Sequence, residues 1–224
     1  MKGLFTINTL IGVIFVLTLY DTNAQTQSDS SAVHKEYNNL EEALRNPNKV
    51  YRLNLSNQSF NSYSDSIWSK FGNLEYLSLR NDHLKEIPYG IGDLKNLKIL
   101  DISNNDFRVL PQSFSRLENL TEIYLNGEKE MDINQSLRII KDLPNLKILH
   151  LENDNLTSIP KSLLYLTHLE TLYLNNNRLI KVPVELKELR KLKYIDLHDN
   201  PIKHTRTLQD WKSHYQGSGI IVRF

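Results

Sequence analysis

The chain has no cysteine. Thiol catalysis, disulfide stapling and cysteine-ligated zinc are therefore excluded, as is acylation at a lipoprotein cysteine. Net charge is nearly absent too. Lys and Arg number 27 against 26 Asp and Glu, a formal +1 over 224 residues. No field exists to attract nucleic acid or an anionic membrane. Catalytic motifs are also missing: there is no G-x-S-x-G, no H-E-x-x-H and no P-loop. Gly90-Ile91-Gly92 lacks the third glycine of a nucleotide loop and follows Pro88, away from any strand-to-helix phosphate cradle. These absences point to a chain that is not an enzyme and carries no cofactor.

Residues 1–24 stand apart. Lys2 is their single basic residue, Leu10 to Tyr20 is strongly apolar, and Thr22-Asn23-Ala24 places small residues before a cut ahead of Gln25. This is the layout of a secretory signal peptide. The alternative is an uncleaved anchor, but the stretch from Leu4 to Tyr20 contains Thr6, Asn8 and Thr9 and is marginal against the roughly 20 residues a span needs. The expectation is an exported protein (secreted, periplasmic or cell-surface), with no stable membrane span after cleavage. An exported core without disulfides suits a bacterial source.

What the sequence does have is periodicity. Segments of the form L-x-x-L-x-L begin at Val50, Leu74, Leu97, Leu120, Leu146, Leu169 and Leu192. A fixed period of this length means stacked units rather than one folded globule. In the repeat starting at Leu97, the apolar residues Leu97, Leu100 and Ile102 occupy positions one, four and six. Phe107, Leu110, Phe114 and Leu117 occupy eleven, fourteen, eighteen and twenty-one. The repeat at Leu169 places Leu172, Leu174, Leu179, Val182, Leu186 and Leu189 in the same slots. The first half alternates, as strands do, and the second has the three-and-four spacing of a short helix or 3₁₀ turn. Pro88, Pro111, Pro160 and Pro183 all fall at position fifteen, where a fixed φ ends the strand.

These residues resemble the leucine-rich repeat family over residues 50 to about 204. The resemblance implies an α/β solenoid, a curved horseshoe with a concave parallel sheet of about seven strands and turns or short helices outside. It also implies a non-catalytic module that binds a protein partner through the concave face. Position nine is normally asparagine in this family. Asn105, Asn177 and Asn200 fit, whereas Gln58, Asp82, Glu128 and Asp154 depart. A buried carboxylate accepts but cannot donate, so Asp154→Asn is expected to be neutral or stabilising at pH 7.

The chain divides into a signal peptide (1–24), a linker and capping helix (25–49), the repeats (50–204) and a C-terminal cap (205–224). At the N-terminal end, Tyr37, Leu40 and Leu44 lie at helical spacing before Asn46-Pro47. At the other end, Leu208, Trp211 and Tyr215 form a helical stripe, Gly217-Ser218-Gly219 turns the chain, and GIIVRF reads as a strand. Solenoid ends expose core and strand edge, so caps are expected at both. In the first repeat Ile67, Trp68 and Phe71 take over the convex half. The fourth carries Gly127-Glu128 at its turn, no Pro at position fifteen, and a helical stretch from Asp132 to Leu143.

Equal positions on adjacent strands line up in columns. Position five reads Asn54, Ser78, Asp101, Tyr124, His150, Tyr173, Asp196, and position three reads Arg52, Tyr76, Ile99, Glu122, Ile148, Thr171, Tyr194. Position seven adds Arg80, Asn126, Glu152 and His198. The candidate contact residues are Tyr76, Glu122, Tyr124, His150, Glu152, Tyr173, Tyr194 and Asp196, since tyrosine is a frequent interface anchor. Mutual support of strand aromatics is the competing explanation. A glycan stacking on Tyr124, Tyr173 and Tyr194 is the other ligand class. His150 and Glu152 share a strand face but form an incomplete metal site, with His198 two strands away. Asn119-Leu120-Thr121 and Asn155-Leu156-Thr157 arise from the repeat template and are poor evidence of glycosylation.

Overall fold

The structure, a computed structural model, describes residues 35–59, 64–128, 130–181, 184–202 and 220–224. The leader, Val182, Pro183, and the helix and glycine turn expected in the C-terminal cap lie outside the described residues.

Nine short parallel strands form one sheet in sequence order. They are β1 (Glu36–Tyr37), β2 (Arg52–Asn54), β3 (Tyr76–Ser78), β4 (Ile99–Asp101), β5 (Glu122–Tyr124), β6 (Ile148–His150), β7 (Thr171–Tyr173), β8 (Tyr194–Asp196) and β9 (Ile221–Arg223). The expected seven become β2 to β8, and one strand is added at each end. β1 corrects the reading of Tyr37 as helical: it pairs with Leu53 in the sheet, and the capping helix α1 spans only Leu40–Arg45. Asn39 caps α1 by accepting from the Glu42 N–H at 2.9 Å. Ala43 is fully buried, and Leu40 and Leu44 pack against the end of the core. At the far end GIIVRF supplies β9, as its apolar pattern implied.

The core follows the repeat template. Leu97, Leu100, Ile102, Phe107, Leu110, Phe114 and Leu117 are all buried, as are Leu169, Leu172, Leu174, Leu179, Leu186 and Leu189. Pro88, Pro111 and Pro160 each stand immediately before a 3₁₀ turn: Tyr89–Asp93, Gln112–Arg116 and Lys161–Tyr165. Trp68 and Phe71 are fully buried in the first repeat. In the fourth repeat, which lacks that proline, helix α2 spans Ile133–Ile140, capped by the Asp132 carboxylate accepting from Gln135 N–H at 3.0 Å. Turns and helices are bulkier than the ~4.8 Å between strands, so the coil bends toward the sheet.

Gly90 and Gly92 serve close packing of these outer turns. A Cβ on Gly90 would sit 2.2 Å from Asp65 O, and one on Gly92 2.4 Å from Ser113 O. Among the described residues no helix is long and apolar enough to cross a membrane.

Each strand from β2 to β8 leaves the sheet through a left-handed residue at position eight: Asn57, Asn81, Asn104, Gly127, Asn153, Asn176 and Asp199 all have positive φ. These are residue types that tolerate this region at least cost. The turn points position nine into the coil. There Asn177 accepts from Asp154 N–H and Leu156 N–H (3.1 and 3.0 Å) and donates to Leu151 O and Leu174 O (2.7 and 3.0 Å). Asn105 does the same for Asp82, Leu84, Leu79 and Ile102. Glu128 and Asp154 continue the ladder as acceptors only. Glu128 Oε1 accepts from Asn105 N–H and Asp154 Oδ1 from Glu128 N–H, each at 2.8 Å. Their second oxygens, Glu128 Oε2 and Asp154 Oδ2, are buried without a hydrogen-bond partner. Burial pushes Glu128 up to about 9 and Asp154 up to about 7.

Candidate functional site

The strand register is the one the columns require. Asp101 pairs with Tyr124, Tyr124 with His150, His150 with Tyr173 and Tyr173 with Asp196. In position three Glu122 lies beside Ile148, and Thr171 beside Tyr194. The side chains of β5 to β8 therefore meet on the inner face because the repeats have nearly equal length.

His150 is the centre of this band. Its imidazole lies between two tyrosine rings, 3.7 Å from the Tyr124 centroid and 4.4 Å from that of Tyr173, with interplanar angles of 12° and 11°. Tyr194 continues the row, tilted by 55° at 5.6 Å from Tyr173. Both imidazole nitrogens face carboxylates: Nε2 is 2.9 Å from Glu122 Oε1 and Nδ1 is 3.1 Å from Glu152 Oε1. Burial works against a charged ring, but the hydrogen bonds to Glu122 and Glu152 and their charges outweigh it and raise the His150 pKa. Burial likewise opposes the Glu122 charge, yet hydrogen bonds from His150 and Tyr124 hold its pKa below the ordinary value. The arrangement is a protonated histidine bridging two carboxylates. Tyr124 is pushed strongly upward by burial and then by the charge of Glu122, so its phenol stays protonated.

A second cluster closes the row. Asp196, 3% exposed, accepts from Tyr194 Oη at 3.1 Å and from the His198 N–H at 3.1 Å. The His198 ring Nδ1 also contacts it, and Arg223 Nη1 lies 3.6 Å from its other oxygen. Burial first, then the charge of Asp196, pushes Tyr194 up to about 12.

Seven of the eight candidate residues thus form one continuous band: Glu122, Tyr124, His150, Glu152, Tyr173, Tyr194 and Asp196. Tyr76 is not part of it. It lies three strands from His150, about 14 Å by strand spacing, with the Arg52 guanidinium 4.1 Å over its ring. Within the band the roles divide. His150 and Glu122 are 8% and 7% exposed and act as internal support. Tyr124, Tyr173 and Tyr194 are half-buried and remain partly open to contact.

Arg223 was not legible as a member. Its strand lacks the L-x-x-L-x-L pattern, and only the pairing of Asp196 with Arg223 brings it in. Asp101 stood in the column without being singled out. It flanks Tyr124 on β4 and accepts from Ser103 N–H and Oγ.

No metal fits the centre as arranged. Both His150 nitrogens already serve carboxylates, and among the described residues no group of three or more His, Cys, Asp or Glu is placed to hold an ion. Lysines stay at the strand entrances in ion pairs: Lys98 with Glu75 at 2.8 Å, Lys147 with Glu170 at 3.5 Å, and Lys193 with Glu170.

Comparison with known proteins agrees with this geometry. Residues 46–134 match the family described as leucine-rich repeat region, and residues 144–202 match that described as leucine rich repeat. Among solved structures, a leucine-rich repeat protein of Leptospira interrogans is similar at 30% identity and a TM-score of 0.55, over 74% of this chain and 53% of that one. The chain spans about half the length of that protein. No curated protein matches the sequence. The matched segments tile the same coils that the nine-stranded sheet and its position-nine ladder define: the chain belongs to the leucine-rich repeat family.

Proposed function

We propose that this chain is an exported, non-catalytic module that binds a protein partner through the inner face of its sheet, at the band from Glu122 to Asp196. Leucine-rich repeat domains are protein-interaction modules, which supports the class of function. The observation that carries the location is the Tyr124–His150–Tyr173 stack, locked from below by Glu122 and Glu152. Rigid aromatic edges on regular strands are ordered before a partner arrives, so little side-chain entropy is lost on contact. Export rests on the leader, with Lys2 ahead of the apolar run Leu10 to Tyr20.

Protein is favoured over glycan by the stacking itself. A sugar stacks best on a broad open ring face, and His150 covers one face each of Tyr124 and Tyr173, so the row offers no continuous platform. The test is affinity capture by the full chain from the cells that produce it, beside a glycan array. Wild type is expected to retain a protein that the Tyr124→Ala/Tyr173→Ala double variant loses while keeping its far-ultraviolet dichroism. Equal capture by the double variant, or binding on the array alone, overturns the reading.

A further inference from the structure

Both ends of the inner face carry the same small arrangement, an arginine set against a carboxylate and a tyrosine. At the N-terminal end the Arg52 guanidinium lies 4.1 Å over the Tyr76 ring and donates to Glu36 Oε2 at 3.0 Å. At the C-terminal end Arg223 lies 3.6 Å from Asp196, which also holds the Tyr194 hydroxyl. In each case the chain supplies its own cation.

The middle of the face has the carboxylates and the rings without an arginine or lysine. Positions three, five and seven of β4 to β7 and their exits hold Asp101, Glu122 and Glu152, and their single cationic group is His150. His150 offsets one of the three negative charges. On the β4 side of the stack, Tyr124 has Asp101 as its column neighbour in place of another ring. Two acceptors one strand apart add to this. Asn126 and Glu152 stand side by side, since the Leu125 and Gly127 N–H groups donate to His150 O and Glu152 O. Asn126 Oδ1 and Glu152 Oε2 are buried and have no hydrogen-bond donor. A polar atom held in this way raises the free energy of the unbound protein, and a donor from outside relieves it.

We propose that the Asp101–Tyr124–Asn126–Glu152 notch receives an arginine side chain of the protein partner, a deepening that rests on the concave-face reading above. The guanidinium is planar and lies flat against a tyrosine edge or face. Its fork of donors spans acceptors on adjacent strands, which a single ammonium does less well. Its charge balances one of the two carboxylates that His150 leaves uncompensated. Asn126 Oδ1 and Glu152 Oε2 are shielded from solvent in the free chain, so entry of the guanidinium is accompanied by rotation of the Asn126 and Glu152 side chains. The notch thereby repeats, with a cation from outside, what Arg52, Tyr76 and Glu36 do within the chain.

The test uses the full chain and a fluorescein-labelled peptide alternating arginine and glycine, with lysine and citrulline versions as controls, read by anisotropy at low and high salt. The arginine peptide is expected to bind and to weaken with salt. The lysine version binds more weakly, and the neutral citrulline version is expected to lose about tenfold or more. Asp101→Asn and Asn126→Arg should each weaken the arginine peptide by about tenfold, the second because the chain then furnishes its own cation. Asn126→Asp should tighten it. Thermal melts confirm that each variant is folded.

Equal binding of citrulline and arginine peptides, or unchanged affinity in both Asp101→Asn and Asn126→Arg, overturns the proposal. If that happens while Tyr124→Ala/Tyr173→Ala still abolishes capture of the native partner, the arginine inference falls alone. If capture also survives that double variant, the concave-face reading falls with it.

Discussion

Asn177 and Asp154 occupy the same slot in neighbouring repeats and meet equivalent backbone, yet only one is satisfied. Asn177 uses its oxygen twice and its amide twice. Asp154 Oδ1 accepts from the Glu128 N–H, and its Oδ2 is buried without a hydrogen-bond partner. Glu128, one rung earlier, repeats the defect. The rungs at Asn105, Asn177 and Asn200 are therefore secured by amides, and the central rungs at Glu128 and Asp154 by carboxyl groups whose pKa burial raises. A protonated carboxyl has one donor and one acceptor face, so it can imitate an amide where a carboxylate cannot. The same two repeats carry the His150 cluster and the unpaired Asn126 and Glu152 oxygens, so the middle of the array holds its least satisfied polar groups.

The largest effect should come from breaking a sound rung. Asn177→Ala strands two N–H groups and two carbonyls in the coil, a loss on the order of 4 kcal/mol. Hydrogen exchange should locate it between β6 and β8, and protection that stays uniform would show that the ladder is dispensable. Removing the central cation comes next. His150→Leu leaves Glu122 and Glu152 buried without a counter-charge, which costs about 3 kcal/mol. A denaturant midpoint equal to that of wild type at pH 6 would mean that the two carboxylates are held by something else.

Repairing a poor rung should have the opposite sign. Glu128→Gln restores a donor and removes a charge that the site resists, for a gain of about 2 kcal/mol at pH 8. The pH dependence follows from the same groups. The folded pKa values of Glu128 and Asp154 lie above the ordinary 4.5 and 3.8, so the folded chain keeps protons that the unfolded chain has released. Stability then falls as pH rises through about 7 and about 9. His150 acts in the same direction, because a raised pKa gives stabilisation that is complete below 6.5 and lost as pH rises through the folded value. Glu122, held low, contributes above 4.5 and loses its contribution only in stronger acid. Melting temperature should therefore decline from pH 5 to pH 9, and Glu128→Gln/Asp154→Asn should flatten much of the slope. A double variant with the wild-type slope would remove the two acids as its source. The smallest effect is that of Asp154→Asn alone at pH 7, from neutral to a gain of about 1 kcal/mol, because half of that carboxyl population is already protonated there. Clear destabilisation would contradict the ladder.

Much of this was legible because the repeat is nearly rigid in length. Equal spacing from Leu97 to Leu120 and from Leu146 to Leu169 puts equal positions side by side, and the Tyr124–His150–Tyr173 row follows from counting. The departure of Glu128 and Asp154 from asparagine was equally plain. The positive-φ column at position eight was present as Asn57, Asn81, Asn104, Asn153 and Asn176, an available signal overshadowed by position nine. Tyr37 was misplaced because a two-residue strand leaves no periodicity, and its spacing to Leu40 and Leu44 imitates a helix. Arg223 was hidden because its strand lies outside the leucine pattern and joins the sheet only by pairing with β8.

The order of residues alone determined the stacking of the coils, the register of the strands and which side chains share the inner face, since period-two alternation and a constant repeat length admit one arrangement. Only the assembled structure decided that His150 is sheathed by tyrosines and bridged by two carboxylates, that burial raises the pKa of Glu128 and Asp154, and that Asn126 and Glu152 lack donors. Those states depend on how much water neighbouring repeats exclude and on the summed charge they bring together, and both arise across segments more than twenty residues apart in the chain.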